Sequence, residues 1–169
     1  MQPLKKLTLI LTTNNKRNDF IFRFLNYYNS VYKKKIKIII SDSGDKKGFL
    51  KLKKKIKKNK FCFKIICKNY ISKNKKEAIR DAWGKPQFEY RERLHQILKE
   101  VNTKYIVLAA DDDFYFPLYF EKAIKFLEAN KDFSCVYGHQ LGFLLKKFSA
   151  YGKIINFKLL KENNPPNPW

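Results

Sequence analysis

Three consecutive aspartates directly follow an uninterrupted apolar stretch of this 169-residue chain. The stretch, Tyr105–Ala110, reads Tyr-Ile-Val-Leu-Ala-Ala. An apolar run bounded by polar residues is typical of a strand buried on both faces. Asp111, Asp112 and Asp113 would then lie at the carboxyl end of that strand, where open α/β sheets bind their ligands.

The three adjacent carboxylates repel one another and need a compensating cation. A hard divalent ion, Mg²⁺ or Mn²⁺, prefers oxygen ligands of this kind. The alternative is a solvated acidic turn that caps a helix starting near Pro117, because Asp is common at helix starts. The buried strand that leads straight into the aspartates favours a metal site formed by Asp111, Asp112 and Asp113.

Strand-like and helix-like segments alternate on either side of the aspartates. The pattern predicts strands at residues 7–13, 36–41, 61–67, 105–110 and 133–137. It predicts helices from Phe20 to Tyr32, around Phe49, Leu52 and Ile56, from Tyr90 to Val101, and after Pro117. This alternation predicts an α/β fold, a mostly parallel sheet with helices on both faces. Residues 143–160 alternate weakly and predict a hairpin, and residues 161–169 form a Pro-rich irregular tail.

Length and composition describe one globular domain. Hydrophobic residues make up 44% of the chain and aromatic residues 16%, which excludes a disordered protein. The three cysteines are odd in number and lack metal-ligand spacing, so we expect reduced thiols. No apolar run approaches the length of a membrane span and no signal-peptide core follows Lys6, so we expect the protein in the cytoplasm.

The formal net charge of +22 suggests a nucleic-acid or anionic-membrane partner. Lys, Asn, Ile, Phe and Tyr are enriched together, however, as an A/T-rich genome would produce without selection for a partner. Lys also greatly outnumbers Arg, whereas specific readout of bases favours the Arg fork. We therefore expect no specific nucleic-acid partner, and we treat the charge as a background that helps any anionic ligand.

Two acidic turns end two strands of the predicted sheet. Asp42 follows the second strand, and the three aspartates follow a later one. In this type of fold both turns can line one crevice. Asp42 could accept hydrogen bonds from a base or ribose, and the aspartates could hold a metal on a diphosphate. The residues just after strand one that could close over a nucleotide are Thr13, Asn15, Lys16 and Arg17.

With these residues in place, the chain resembles GT-A glycosyltransferases, and among them the inverting family 2. The family's opening Pro-Thr-Tyr-Asn-Arg is similar to residues 12–17, Thr-Thr-Asn-Asn-Lys-Arg. Its second-strand signature resembles residues 40–44, Ile-Ser-Asp-Ser-Gly. Its Leu-Asp-x-Asp-Asp metal motif resembles residues 109–113, with Pro117 a few residues later. The resemblance covers about residues 7–140, and the order and spacing of the motifs make it specific.

The resemblance implies transfer of a sugar from a UDP- or GDP-linked donor to a saccharide or lipid-linked acceptor, with Mn²⁺ or Mg²⁺ as cofactor. If Pro117 sets the register, the family's first Asp falls on Ala110, and Asp112 and Asp113 bind the metal. A plain Asp-x-Asp motif instead uses Asp111 and Asp113. The family often places an Arg facing the diphosphate, and Arg91 and Arg93 are the candidates here.

An inverting transferase also needs a carboxylate base, which in the family comes well after the metal motif. The acidic residues after the aspartates look solvated or lie in the tail, so the base is not identified. We therefore expect a nucleotide-sugar-binding domain over residues 1–160 whose acceptor part is incomplete. The pathway implied is cell-envelope polysaccharide or lipopolysaccharide synthesis, with peripheral contact to an anionic inner membrane face.

Three alternatives remain open at this point. The chain could be a non-catalytic nucleotide-sugar-binding fragment or partner subunit. It could be a basic nucleic-acid-binding protein, although the aspartates would repel phosphates. A nucleotidyltransferase would also use paired carboxylates, but it would normally show a Gly-rich phosphate loop near the first strand, and residues 12–17 contain no Gly.

Overall fold

The structure, a computed structural model, describes six parts of the chain. They are residues 6–14, 17–31, 36–70, 88–138, 143–145 and 157–159. The side chains of Val31, residues 88–91, Pro117 and the last two parts lie outside the description. The predicted segment at residues 161–169 also lies outside it.

Four parallel strands form the main sheet. They are β1 (Leu7–Thr13), β2 (Lys37–Asp42), β3 (Lys64–Asn69) and β4 (Tyr105–Ala110). Their order across the sheet is β3-β2-β1-β4, so the direction of chain progression reverses between β1 and β4. Thr13 pairs with Asp42, and Asp42 pairs with Asn69, which brings the carboxyl ends of these strands to one edge. In open α/β sheets this reversal marks the place where ligands bind.

Helices cover both faces of this sheet. Three of them, α1 (Asn18–Val31), α2 (Lys46–Lys58) and α4 (Pro117–Ala129), pack with the side chains of Leu9, Leu11 and Ile38 in one core cluster. Helix α3 (Phe88–Leu98) lies on the other face, where Ile97 packs with Ile10 and Ile39. Neighbouring strand residues point to opposite faces, so the aliphatic strands β1 and β2 are buried on both sides. The prediction that β4 is buried on both faces is wrong, because Ile106 and Leu108 on one of its faces are 41% and 43% exposed. The predicted α/β architecture is confirmed.

Aromatic side chains fill the space between α1 and α4. Phe24 stacks on Tyr28 with ring centroids 4.6 Å apart, and Tyr28 stacks on Phe120 at 6.5 Å. The Tyr28 hydroxyl donates to the carbonyl oxygen of Tyr115 at 3.1 Å. Phe24 and Tyr28 are buried, so the aromatic stripe of α1 is core, as the helical spacing predicts.

One predicted strand is wrong, and two have different limits. Residues 133–137 form no strand: they are exposed, Tyr137 to 90%, and pair with no strand of the described chain. Apolar and polar side chains alternate in this segment as in a strand. No described strand lies beside it, however, to form hydrogen bonds with its backbone N–H and C=O groups. Strand β3 ends at Asn69 rather than Cys67. Its register with β2 pairs Lys64 with Lys37 and Asn69 with Asp42, so the two strands end at the same level of the sheet. Strand β2 likewise ends one residue later, at Asp42.

The predicted hairpin is present in short form. Strand β5 (Phe143–Leu145) pairs antiparallel with β6 (Phe157–Leu159). The residues between them lie outside the described parts. None of the described helices combines the length and the apolar composition needed to cross a membrane.

Replacing Leu9 should test the sheet core. Leu9 lies fully buried on the central strand. We expect Leu9→Ala to lower the free energy of unfolding by about 2–5 kcal/mol, because the cavity adds to the lost transfer energy. Urea unfolding measures this. The matched control, Leu118→Ala, removes the same atoms from an exposed site and should change stability by less than about 0.5 kcal/mol. Equal effects would contradict the described core.

Glu128 ties the end of α4 to the starts of β1 and β4. It accepts hydrogen bonds from Tyr105 at 2.7 Å, Lys104 at 3.0 Å and Lys6 at 3.2 Å. These contacts, the Tyr105 hydrogen bond first, lower the pKa of Glu128 to about 2 from 4.5. A lowered carboxyl pKa stabilises the fold above the unfolded value and loses that effect as the pH falls toward the folded value.

We therefore expect Glu128→Gln to melt at a lower temperature than the wild type near pH 7. The gap should shrink as the pH falls from about 5 toward about 2, because Glu128 is then protonated in both states. Thermal unfolding followed by circular dichroism across this range checks the sign. Glu92→Gln, which changes a half-exposed carboxylate on α3, is the control. A gap that stays constant with pH would rule out the electrostatic explanation.

Candidate functional site

Polar side chains end each strand at the carboxyl edge of the sheet. Thr13 ends β1, Asp42 ends β2 and Asn69 ends β3, while Asp111 directly follows β4. Asp42 is 0% exposed and Asp111 1% exposed. Because Thr12 pairs with Ala110 and Thr13 with Asp42, Thr13 lies between the two buried carboxylates. Two carboxylates buried at one edge require surrounding donors.

Asp42 is held by the loop that follows it. Its Oδ1 accepts from the backbone N–H of Gly44 at 3.2 Å, and its Oδ2 accepts from the Asn69 amide at 3.0 Å. The same Asn69 amide donates to the Gly44 carbonyl at 2.9 Å. The carboxylate is therefore fixed in orientation at the edge of the sheet by β3 and by its own turn.

Asp111 lies between β1 and the start of α1. Its Oδ2 accepts from the Thr13 hydroxyl at 2.5 Å, and its Oδ1 lies 3.0 Å from Nη2 of Arg17. Burial raises the pKa of Asp111, while the Thr13 hydrogen bond and the Arg17 charge act in the opposite direction. Both carboxylate oxygens thus already have partners on neighbouring segments.

Arg17 also binds the second aspartate. Its Nη2 lies 2.8 Å from Oδ2 of Asp112, whose side chain is 49% exposed. Partial burial disfavours the charged form of Asp112, but the hydrogen bond and charge of Arg17 outweigh it and lower its pKa. The Arg17 guanidinium is therefore the cation that compensates the repulsion between Asp111 and Asp112 in this state.

Asp113 has a different partner from Asp111 and Asp112. Its Oδ2 accepts from the Tyr115 hydroxyl at 3.0 Å, and that hydroxyl accepts in turn from the Ala110 N–H at 3.3 Å. Burial, together with the nearby Asp113 charge, raises the pKa of Tyr115 to about 12. Helix α4 begins after Phe116 without a side-chain cap, so the aspartates do not cap it and the capping alternative is wrong.

Two further arginines reach the same edge. Nη2 of Arg23 donates to the Asp111 carbonyl at 3.3 Å, and its guanidinium lies between the rings of Phe20 and Phe114, at 4.8 and 4.7 Å. Burial lowers the pKa of Arg23, against the opposing charges of the aspartates. Nη1 of Arg93, on α3, donates to the Thr13 carbonyl at 3.3 Å. Arginines thus approach the site from both faces of the sheet.

Most of the predicted site residues meet at this edge. The structure brings together Thr13, Arg17, Asp42, Arg93, Asp111, Asp112 and Asp113. Asn15 and Lys16 lie outside the described residues, as does the side chain of Arg91 on α3. Their predicted contacts with a nucleotide stay predictions.

Three contributing residues were not predicted. Asn69 carried the same signal as Asp42, a polar residue at a strand end, but the predicted limit of β3 stopped short of it. Arg23 lies within the aromatic stripe of α1, three residues after Phe20. A helix prediction that considers only apolar positions does not register a charged residue there. Tyr115 carried no signal, because its role depends on how the chain turns after β4.

Comparison with known proteins finds distant likenesses among solved structures. No family model matches the chain, and no curated protein matches it. Among solved structures, the chain is similar to TarS 1-349 from S. aureus, with 17% identity and a TM-score of 0.44. The match covers 73% of this chain and 32% of the TarS chain, so this chain spans about a third of that structure. The likeness is too distant to assign the site.

Replacing Arg17 should test the charge balance of the aspartates. We expect Arg17→Gln to lower the free energy of unfolding near pH 7 by about 1–2 kcal/mol, between the values for exposed and buried ion pairs. The loss should shrink below about pH 4, where Asp112 becomes protonated in the unfolded chain.

Urea unfolding of Arg17→Gln at several pH values measures this effect, and Arg17→Lys should restore part of the stability. The control, Lys57→Gln, removes an exposed positive charge from α2 and should have little effect. A loss no larger than that of the control would contradict the bridging role of Arg17.

Proposed function

We propose that this chain is the donor-binding part of a GT-A glycosyltransferase of the family-2 type. It would transfer a sugar from a UDP- or GDP-linked donor to an acceptor hydroxyl. The observation that supports this most is the arrangement of Thr13, Asp111 and the arginines where the sheet order reverses, between β1 and β4. The carboxyl edge of an α/β sheet at such a reversal is where nucleotides bind.

The side chains offer partners for each part of such a donor. Arg17, Arg23 and Arg93 supply forked cationic donors suited to a diphosphate. Asp42 would accept hydrogen bonds from a ribose hydroxyl or a base N–H if the turn after it opens. Asn15, Lys16 and Arg91 are proposed to complete the site, on the sequence resemblance alone.

The aspartates can also accept a divalent cation. Within the described parts of the chain, no cluster of three or more His, Cys, Asp or Glu side chains is arranged to hold a metal. Mg²⁺, however, commonly uses one or two carboxylates and takes its remaining ligands from substrate phosphates and water. The exposed Asp112 and Asp113 fit this role better than Asp111, whose two oxygens are bound by Thr13 and Arg17.

A bound Mn²⁺ or Mg²⁺ would supply Lewis-acid stabilisation of the charge that grows on the leaving diphosphate. Arg17 would have to release Asp112 to admit the cation, and its guanidinium would then be free to contact a phosphate oxygen. Arg23 would keep the Asp111 backbone in place through its hydrogen bond to the carbonyl. The aspartates and the arginines would thus act together on the donor.

The acceptor side of the reaction is less complete. An inverting transfer needs a carboxylate base, and Glu128 cannot serve, because it lies with Lys6 and Tyr105 at the opposite edge of the sheet. With Glu128 excluded as the base, we keep as a second candidate a nucleotide-sugar-binding fragment or partner subunit without turnover. Under the first candidate we propose a saccharide or lipid-linked acceptor, a cell-envelope pathway and a site on the cytoplasmic membrane face.

Calorimetric titration with UDP and with GDP, with and without Mn²⁺, tests the donor site. We expect binding by the wild type that depends on Mn²⁺, and Asp112→Ala/Asp113→Ala should weaken it by more than about tenfold, as loss of metal ligands does. Circular dichroism should show that the variant remains folded. Release of nucleoside diphosphate from a donor with an acceptor extract then separates the transferase from the non-catalytic candidate.

The matched control is Glu92→Ala/Asp132→Ala, which removes two carboxylates from exposed or half-exposed positions on α3 and after α4. It should bind like the wild type. Equal weakening of both variants would show a general charge effect rather than a site. No binding of either nucleotide under any condition would refute the donor-site proposal for this chain.

A further inference from the structure

Helix α2 carries a dense positive charge on its surface. Eight of its residues are lysines, all of them exposed: Lys46, Lys47, Lys51, Lys53, Lys54, Lys55, Lys57 and Lys58. The helix contains no acidic residue, and no Asp or Glu occurs from Lys46 to Lys76. The charge is therefore concentrated on one element rather than balanced along it.

The helical periodicity places the lysines of α2 on different sides of the helix. Phe49, Leu52 and Ile56 are buried against the sheet. Residues spaced by three or four positions share one side of a helix. The positions opposite the buried ones form a stripe along the outward side: Lys47, Lys51, Lys54 and Lys58. We call these four residues the lysine stripe of α2.

The charges of the stripe are not compensated within the described parts of the chain. No carboxylate described there forms an ion pair with a lysine of α2. Elsewhere the lysines do pair, as Lys68 with Glu100 at 2.6 Å and Lys104 with Glu128 at 3.0 Å. Like charges four residues apart, as at Lys47 and Lys51, disfavour a helix. An anionic partner along the outward side of α2 would remove this repulsion.

One apolar side chain lies beside the stripe. Leu50 is 55% exposed and sits between Lys47 and Lys54 on the helix surface. A helix whose polar side is rich in lysine and carries an accessible apolar residue suits the headgroup region of an anionic bilayer. Nucleic acid fits less well, because the outward side carries no arginine for base edges and no aromatic ring for stacking.

We propose that the lysine stripe and Leu50 form a docking surface for an anionic phospholipid membrane. The inference does not depend on the proposed transferase function, because α2 contacts β3, at the other end of the strand order from β4 and the aspartates. The docked protein would lie with α2 along the membrane plane.

Flotation of the full chain with phospholipid vesicles tests the docking surface. The wild type should bind phosphatidylcholine vesicles that contain about a third phosphatidylglycerol, and not pure phosphatidylcholine. Each lysine near such a surface strengthens binding by about fivefold, so Lys47→Gln/Lys51→Gln/Lys54→Gln/Lys58→Gln should weaken it by more than about a hundredfold. Gln has a helix propensity close to that of Lys, so α2 should stay folded.

The matched control removes four exposed lysines outside α2, as Lys99→Gln/Lys122→Gln/Lys125→Gln/Lys131→Gln. It should keep most of the vesicle affinity. Leu50→Gln should reduce binding mainly at higher salt, where screening weakens the lysine contribution. Equal losses in both quadruple variants, or equal binding to both vesicle types, would overturn the proposal. Tighter binding to a DNA duplex, lost in the stripe variant, would also overturn it and reassign the surface to nucleic acid.

Discussion

The buried carboxylate of Asp111 constrains the site more than any other group. A carboxylate removed from water is stable only with hydrogen-bond donors or opposite charge close by. Its partners come from the end of β1 and the segment before α1, through Thr13 and Arg17. The backbone of Asp111 is in turn held by Arg23 from α1. The position of α1 over the sheet is therefore linked to the geometry of the turn after β4.

The same charge balance bears on how ligands could enter. Without a ligand, Arg17 neutralises Asp111 and Asp112, so the site already contains its own cation. A divalent ion alone would have to displace a guanidinium from two carboxylates. A diphosphate that arrives with its ion brings both signs of charge, so the arginine can exchange a carboxylate for a phosphate. Under the proposed function, an ion–diphosphate pair would therefore displace Arg17 from the aspartates more readily than either component alone.

The sequence predicted best those parts of the fold that depend on neighbouring residues in the chain. Strands β1 and β4 have the predicted limits, because each is an apolar run that ends at a polar residue. Residues 133–137 have the composition of a strand, but composition does not supply a neighbouring edge. The bridge from Arg17 to the aspartates could not be predicted, because it joins residues far apart in the chain. Only the pairing of β1 with β4 brings them together.

The two kinds of basic residue have different roles in this chain. Arg17, Arg23 and Arg93 all make directed contacts at the carboxyl edge, with carboxylate or carbonyl oxygens. The lysines of α2 are exposed and set in a segment without acidic residues. An A/T-rich genome explains why lysine is abundant, but not why the lysines of α2 lack acidic partners while Lys68 and Lys104 pair with Glu100 and Glu128 from other parts of the described chain. Composition alone suggests that the positive charge is a uniform background, but in the described structure it is unevenly distributed. The arginines gather at the carboxyl edge of the sheet, and the exposed lysines gather on α2.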